Sequence, residues 1–90
     1  MNDFSYKKFI VWQKAILLLE LTYKILEKLP RNEEFGLKQQ LRRAAVSVSS
    51  NIAEGSGRKS AVERRRFYEI ARSSVIEIDS QLEAAVALNF

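Results

Sequence analysis

The sequence predicts an all-α fold, an antiparallel up-down bundle of helices, on three observations. Apolar residues recur at steps of three and four through three long stretches, the period of one helix face. Only three Gly and one Pro are available for turns, which argues against the many reversals of an all-β domain. The 90 residues are 47% hydrophobic and 29% charged, the balance of a foldable chain and not of a disordered one. A chain this short buries only about 60% of the surface its unfolded form exposes, so residues 1–90 are expected to form one small domain.

The first helix is expected over about residues 6–28, with Phe9, Trp12, Ile16, Leu19, Tyr23 and Leu26 on its apolar face. Leu29-Pro30 closes it, because the residue before a proline is pushed out of the helical region. Val11, Leu18 and Ile25 recur every seven residues on a different face. A bundle core needs one such face, so the second predicts a further contact, with a helix of the same chain or with another subunit.

The second helix is expected over about residues 33–54, with Asn32 as N-cap and Glu33 and Glu34 in its first turn. Leu37, Leu41, Ala44 or Ala45, Val48 and Ile52 form its apolar face, and Gly36 costs up to about 1 kcal/mol relative to Ala. A strand over 46–50 is the local competitor, since Val46-Ser47-Val48 has β-propensity. The apolar register continuing to Ile52 and the helix end expected at Glu54-Gly55 favour the helix. Gly55-Ser56-Gly57-Arg58-Lys59 is a loop, and Ser60 with Glu63 reads as a capping box. The third helix, about residues 61–88, carries Phe67, Ile70 or Ala71, Ser74, Ile78, Leu82 and Ala85 on one face, with no stop signal before Phe90. A fourth helix is expected to complete the bundle, largely missing from this chain or replaced by a partner.

Charge and residue content narrow the chemistry. The net charge is +4 and the pI near 9.6. Residues 31–72 hold ten cations against five anions, whereas residues 73–90 hold only Glu77, Asp79 and Glu83. Such a basic middle favours a polyanionic partner, although a modest positive charge also keeps a small protein soluble. The chain has neither Cys nor His. Thiol nucleophiles, disulfides, the commonest general base and the commonest transition-metal ligand are therefore excluded. Carboxylate-only metal binding would have to use Glu20, Glu54 and Glu77, and the serines lack a base. No cofactor, metal or catalytic residue is expected. Apolar runs such as Ala15 to Leu19 are far short of the ~20 residues of a spanning helix, and a cytoplasmic protein without membrane contact is expected.

Two basic clusters are candidate phosphate contacts: Lys38, Arg42 and Arg43 on the second helix, and Arg58, Lys59, Arg64, Arg65, Arg66 and Arg72 from the loop into the third. The competing reading is a solvated face, with Glu63 or Glu69 neutralising Arg66 or Arg65. No aromatic residue interleaves with either cluster, so base stacking is not expected. Asn51, Glu54 and Gly55 are a polar triplet with a structural reading: Asn51 bonding an adjacent helix, Glu54 pairing with an Arg near the helix end, and Gly55 as a left-handed cap. The other reading makes Asn51 and Glu54 ligand groups.

The stretches Phe9-Ile10-Val11-Trp12-Gln13-Lys14-Ala15, Leu29-Pro30, Glu34-Phe35-Gly36-Leu37, Gln40-Leu41-Arg42-Arg43-Ala44-Ala45, Asn51-Ile52-Ala53-Glu54-Gly55 and Ala71-Arg72-Ser73-Ser74 carry a family likeness. Together they resemble the four-helix bundle proteins encoded in 23S rRNA intervening sequences. The accessory variability determinant of diversity-generating retroelements looks like a relative. The resemblance implies an up-down-up-down bundle, assembly into a homopentamer, and a non-enzymatic role. It also implies nucleic acid as a partner and, in the retroelement branch, a reverse transcriptase. The leading expectation is thus an oligomeric nucleic-acid-binding scaffold. The alternative is a protein-binding adaptor that docks a partner enzyme without touching nucleic acid, and a metal-dependent bundle enzyme is a distant third.

Overall fold

The computed structural model describes residues 5–90, and among them every regular element is helical. Three α-helices, α1 (Ile10–Leu26), α2 (Leu37–Ser56) and α3 (Ala61–Ala87), follow one another, with short 3-10 turns at Ser5–Lys8 and Arg31–Glu33.

The first helix starts later than its periodicity predicts. Phe9 is extended, and the 3-10 turn before it folds back on the helix. There the Gln13 amide donates to the Lys7 carbonyl (3.1 Å) and the Tyr6 ring meets Trp12 edge-on at 5.2 Å. The buried face is centred on Ala15, Thr22 and Leu26, between the two apolar stripes of the sequence, so Phe9 and Tyr23 lie partly outside it. Thr22 tolerates full burial because its hydroxyl donates to the Leu18 carbonyl at 2.7 Å.

The expected start of α2 at Glu33, capped by Asn32, is corrected to Leu37, capped by Gly36. Arg31–Glu33 forms its own 3-10 turn and Gly36 takes a non-helical conformation (φ −108°, ψ −107°). The Glu33 carboxylate then caps the helix from outside, accepting from the Leu37 amide at 3.2 Å. From Leu37 onward the predicted apolar face holds: Leu41, Ala44, Ala45, Val48 and Ile52 are all buried, and residues 46–50 are helical.

Gly55 is not a left-handed cap. The helix runs through it to Ser56, Gly57 caps it at φ −87°, and no described glycine has a positive φ. A Cβ on Gly55 would stand 2.7 Å from Tyr68 Cε1 and 3.1 Å from Phe67 Cβ, so its smallness lets the start of α3 pack against the end of α2. Asn51 likewise stays on its own helix, donating to the Ser47 carbonyl (2.8 Å) and hydroxyl (2.9 Å). Only through Ser47 does it reach the neighbour, since the buried Ser74 hydroxyl of α3 donates to Ser47 Oγ at 2.8 Å.

Ser60 caps α3 as expected, its hydroxyl accepting from the Glu63 amide at 3.1 Å. On the buried face Ala71, not Ile70, occupies the ambiguous position. The helix does have a stop signal, at Asn89. This residue adopts φ 60°, the Asn89 amide donates to Val86 and the Phe90 amide reaches back to Ala85, both at 3.0 Å. That pairing is a Schellman motif with Asn in the position usually held by Gly.

α2 packs against both other helices, whereas α1 and α3 nowhere bring their Cα atoms within 8 Å of each other among the described residues. An apolar groove of about 440 Å³ therefore runs between them over α2, lined by Val11 and Leu18, by Val48 and Ile52, and by Tyr68 and Val75. Lys14 and Arg72 line it as well.

Gly55→Ala is expected to destabilise the fold. Overpacking costs about 1–3 kcal/mol, and the better helix propensity of Ala returns about 1 kcal/mol of it. Urea unfolding should show a net loss near 1 kcal/mol that shrinks in a Tyr68→Ala background, whereas equal losses in both backgrounds would mean that Tyr68 is not what Gly55 accommodates.

Candidate nucleic-acid interface

The nine cations singled out in the sequence divide by what they touch. Lys38 is withdrawn from the surface, its side chain 11% exposed and its Nζ 3.8 Å from the Glu34 carboxylate. Arg42 reaches the same carboxylate at 2.6 Å. Both therefore anchor the turn before α2, and Arg43, one residue on, is left exposed without an ion pair among the described residues. The basic patch expected on α2 reduces to Arg43 and the outer edge of Arg42.

The second cluster divides in the same way. Arg58 pairs with Glu54 at 3.0 Å, the partnership the sequence suggested, and its guanidinium carbon lies 4.7 Å over the Phe67 ring. Arg64 turns back over the loop, donating through Nη1 to the carbonyls of Arg58 (3.0 Å) and Lys59 (2.8 Å). These two arginines brace the α2–α3 connection by satisfying carbonyls and stacking on an aromatic ring. Lys59, Arg65, Arg66 and Arg72 are exposed. Glu63 and Glu69 do not neutralise them, because the ion pairs among the described residues are Glu34–Lys38, Glu34–Arg42 and Glu54–Arg58. Seven residues apart, Arg65 and Arg72 share one face of α3, on which Arg72 borders the groove toward α1, and Arg66 stands about 100° round the helix from Arg65.

One contributor was not legible as part of either cluster. Tyr23 of α1 lies beside Arg42 and Arg43 of α2, around an open depression of about 510 Å³ that Gln39, Val46 and Ser47 also line. The signal that could have found it is distance from the turn. Tyr23 and Arg43 are nearly equidistant from the Arg31–Glu33 turn, and residues so placed meet when two helices fold back on one another. Next to it, Arg43 also lines a second depression with Gln40, Ser47, Glu77 and Gln81. Gln81 Oε1 is buried there without a hydrogen-bond partner among the described residues.

Among the described residues no three acidic side chains converge to hold a metal ion, so Glu20, Glu54 and Glu77 do not form a cluster. No helix is long and apolar enough to cross a membrane among those residues.

The family model of the 23S rRNA-intervening sequence protein matches residues 7–90. No curated protein matches the chain significantly. With all three helices inside the matched span, the chain belongs to the 23S rRNA-intervening sequence protein family.

Proposed function

We propose that this protein is a non-enzymatic scaffold that self-associates and binds nucleic acid through its phosphate backbone. The observation that carries the reading is the set of exposed cations on the α2–α3 loop and the first half of α3: Lys59, Arg65, Arg66 and Arg72, none in an ion pair among the described residues. Cations left free of internal partners release counterions from a phosphate backbone when they bind it, which gives affinity without sequence preference. The absence of His and Cys favours binding over catalysis.

The proposed architecture is an antiparallel four-helix bundle. Cross-helix pairs support it, because Gly55 lies against Phe67 and Tyr68, Ser47 meets Ser74, and Gln40 meets Gln81, descending on α2 while ascending on α3. A fourth helix would occupy the apolar groove between α1 and α3, and the left-handed turn at Asn89 would redirect the chain after α3. Self-association, by resemblance as a pentamer, is supported by a strip that such a helix would leave open: Ile10, Leu17 and Leu21 of α1, exposed by 69%, 53% and 47%. The same strip favours the second reading, an adaptor that docks a partner enzyme such as a reverse transcriptase.

Fluorescence anisotropy with labelled RNA across a salt series tests the phosphate contacts. Each of Arg65→Gln, Arg66→Gln and Arg72→Gln is expected to lower the slope of log affinity against log salt by about 1. Arg64→Gln, which frees the loop, should reduce thermal stability and leave that slope nearly unchanged. No measurable RNA affinity at low salt would overturn the reading. Light scattering on Leu17→Ser/Leu21→Ser tests the strip. A fall in mass with helicity retained is expected, and an unchanged mass would transfer the strip to the adaptor reading.

A further inference from the structure

We propose that the depression between Tyr23 and Arg43 takes one unpaired nucleotide of a single-stranded nucleic acid, with its base stacked on Tyr23 and its phosphate on Arg43. This rests on the nucleic-acid reading above and adds to it a second kind of contact, one that reads single strands. Tyr23 is 42% exposed although its position in the α1 pattern predicts burial, so an aromatic side chain is accessible at the edge of the helix pair, on the rim of the depression. The cations beside it differ in state. Arg42 is held by Glu34 at 2.6 Å, whereas Arg43 is exposed and free of ion pairs among the described residues, leaving its full donor fork for an anion. Gln39 and Ser47 supply neutral donors and acceptors around the same depression, and Val46 supplies an apolar surface.

An aromatic face, a free guanidinium and an amide around one depression are the parts from which single-strand sites are built. Every base has a π face to stack, and the phosphate fixes its distance from the cation. A paired base is already stacked on its neighbours and cannot lie on Tyr23, so the geometry selects unpaired strands. The depression also stays open when the groove between α1 and α3 is filled. Leu18 lines that groove, and Tyr23, five residues on, stands about 140° round α1 from it.

The test is fluorescence anisotropy with a labelled oligouridine of about 12 nucleotides, free and annealed to its oligoadenosine complement. Tyr23→Ala is expected to weaken binding of the free strand by about 5- to 100-fold and leave the duplex within about twofold, while Tyr23→Phe retains the stack and the affinity. Arg43→Gln should weaken the free strand and lower its salt slope by about 1. A helical circular-dichroism spectrum establishes that each variant is folded, and a 4-thiouridine-substituted strand should photocrosslink to the peptide containing Tyr23. Unchanged free-strand binding by Tyr23→Ala, or equal losses for both forms, would overturn the proposal while leaving the phosphate contacts of α3 intact. Loss of the stacking effect alone thus separates this site from the wider reading. Absence of binding to either form by the unaltered protein would overturn both.

Discussion

The close fit of α2 between its two neighbours is the constraint on which the rest depends. Among the described residues α2 alone packs against both other helices, and its residues Leu41 and Ala45 are fully buried. Helix axes approach to about 8–10 Å only as the contact side chains allow. The facing positions are accordingly small: Ala44, Ala45, Ser49 and Gly55 on α2, and Ala71 and Ser74 on α3. Gly55 marks a close approach, where even a methyl group would press on Tyr68 and Phe67. Burying serines is affordable because they bond locally: Ser49 and Ser56 donate to carbonyls on their own helix, and Ser74 crosses to Ser47.

That fit also decides which cations are available. Where α2 begins and ends, the chain must turn sharply, and each turn is held by basic side chains. Lys38 and Arg42 converge on Glu34 at the first turn, while Arg58 and Arg64 hold the second by an ion pair, a ring face and two carbonyls. A guanidinium engaged in this way has given up donors that a phosphate would use. The basic surface is therefore smaller than the composition suggests, and it is sharper. Arg43 is left at one side of α2, and Lys59, Arg65, Arg66 and Arg72 lie along the start of α3.

How much of this was legible in the sequence depended on whether the deciding contact was local. The apolar face of α2, the Ser60 cap and the Glu54–Arg58 pair rest on neighbours within four residues, and all appear as expected. Asn89 was local too, but an Asn acting in place of Gly in a helix stop is a weak signal without its dihedral angle. The role of Gly55 could not be read because it is set by Tyr68, across the loop, and glycine before Ser-Gly looks like a cap. The start of α2 was missed because the cap is Glu33, acting from outside the helix. For α1, periodicity supplied two faces but not the axis between them, since apolar residues surround most of that helix. Tyr23 was assigned to the core for that reason, and its place on the same depression as Arg43 is set by tertiary packing, which no local pattern records.

The excess apolar surface of α1 has a consequence for the assembly. Val11 and Leu18 line the groove toward α3, Ala15, Thr22 and Leu26 face α2, and Leu17 and Leu21 face neither. On a helix of 3.6 residues per turn Leu21 stands about 60° and Leu17 about 100° round from Leu18, so the outer strip borders the groove on the side away from α2. A small domain has little surplus stability with which to tolerate apolar surface left in water. α1 thus carries more apolar surface than α2 covers: the groove, whose lining includes Lys14 and Arg72, and the outer strip of Leu17 and Leu21 beside it. In the proposed bundle a fourth helix would lay its apolar stripe in the groove. Under the proposed self-association the outer strip would meet a second copy of the chain.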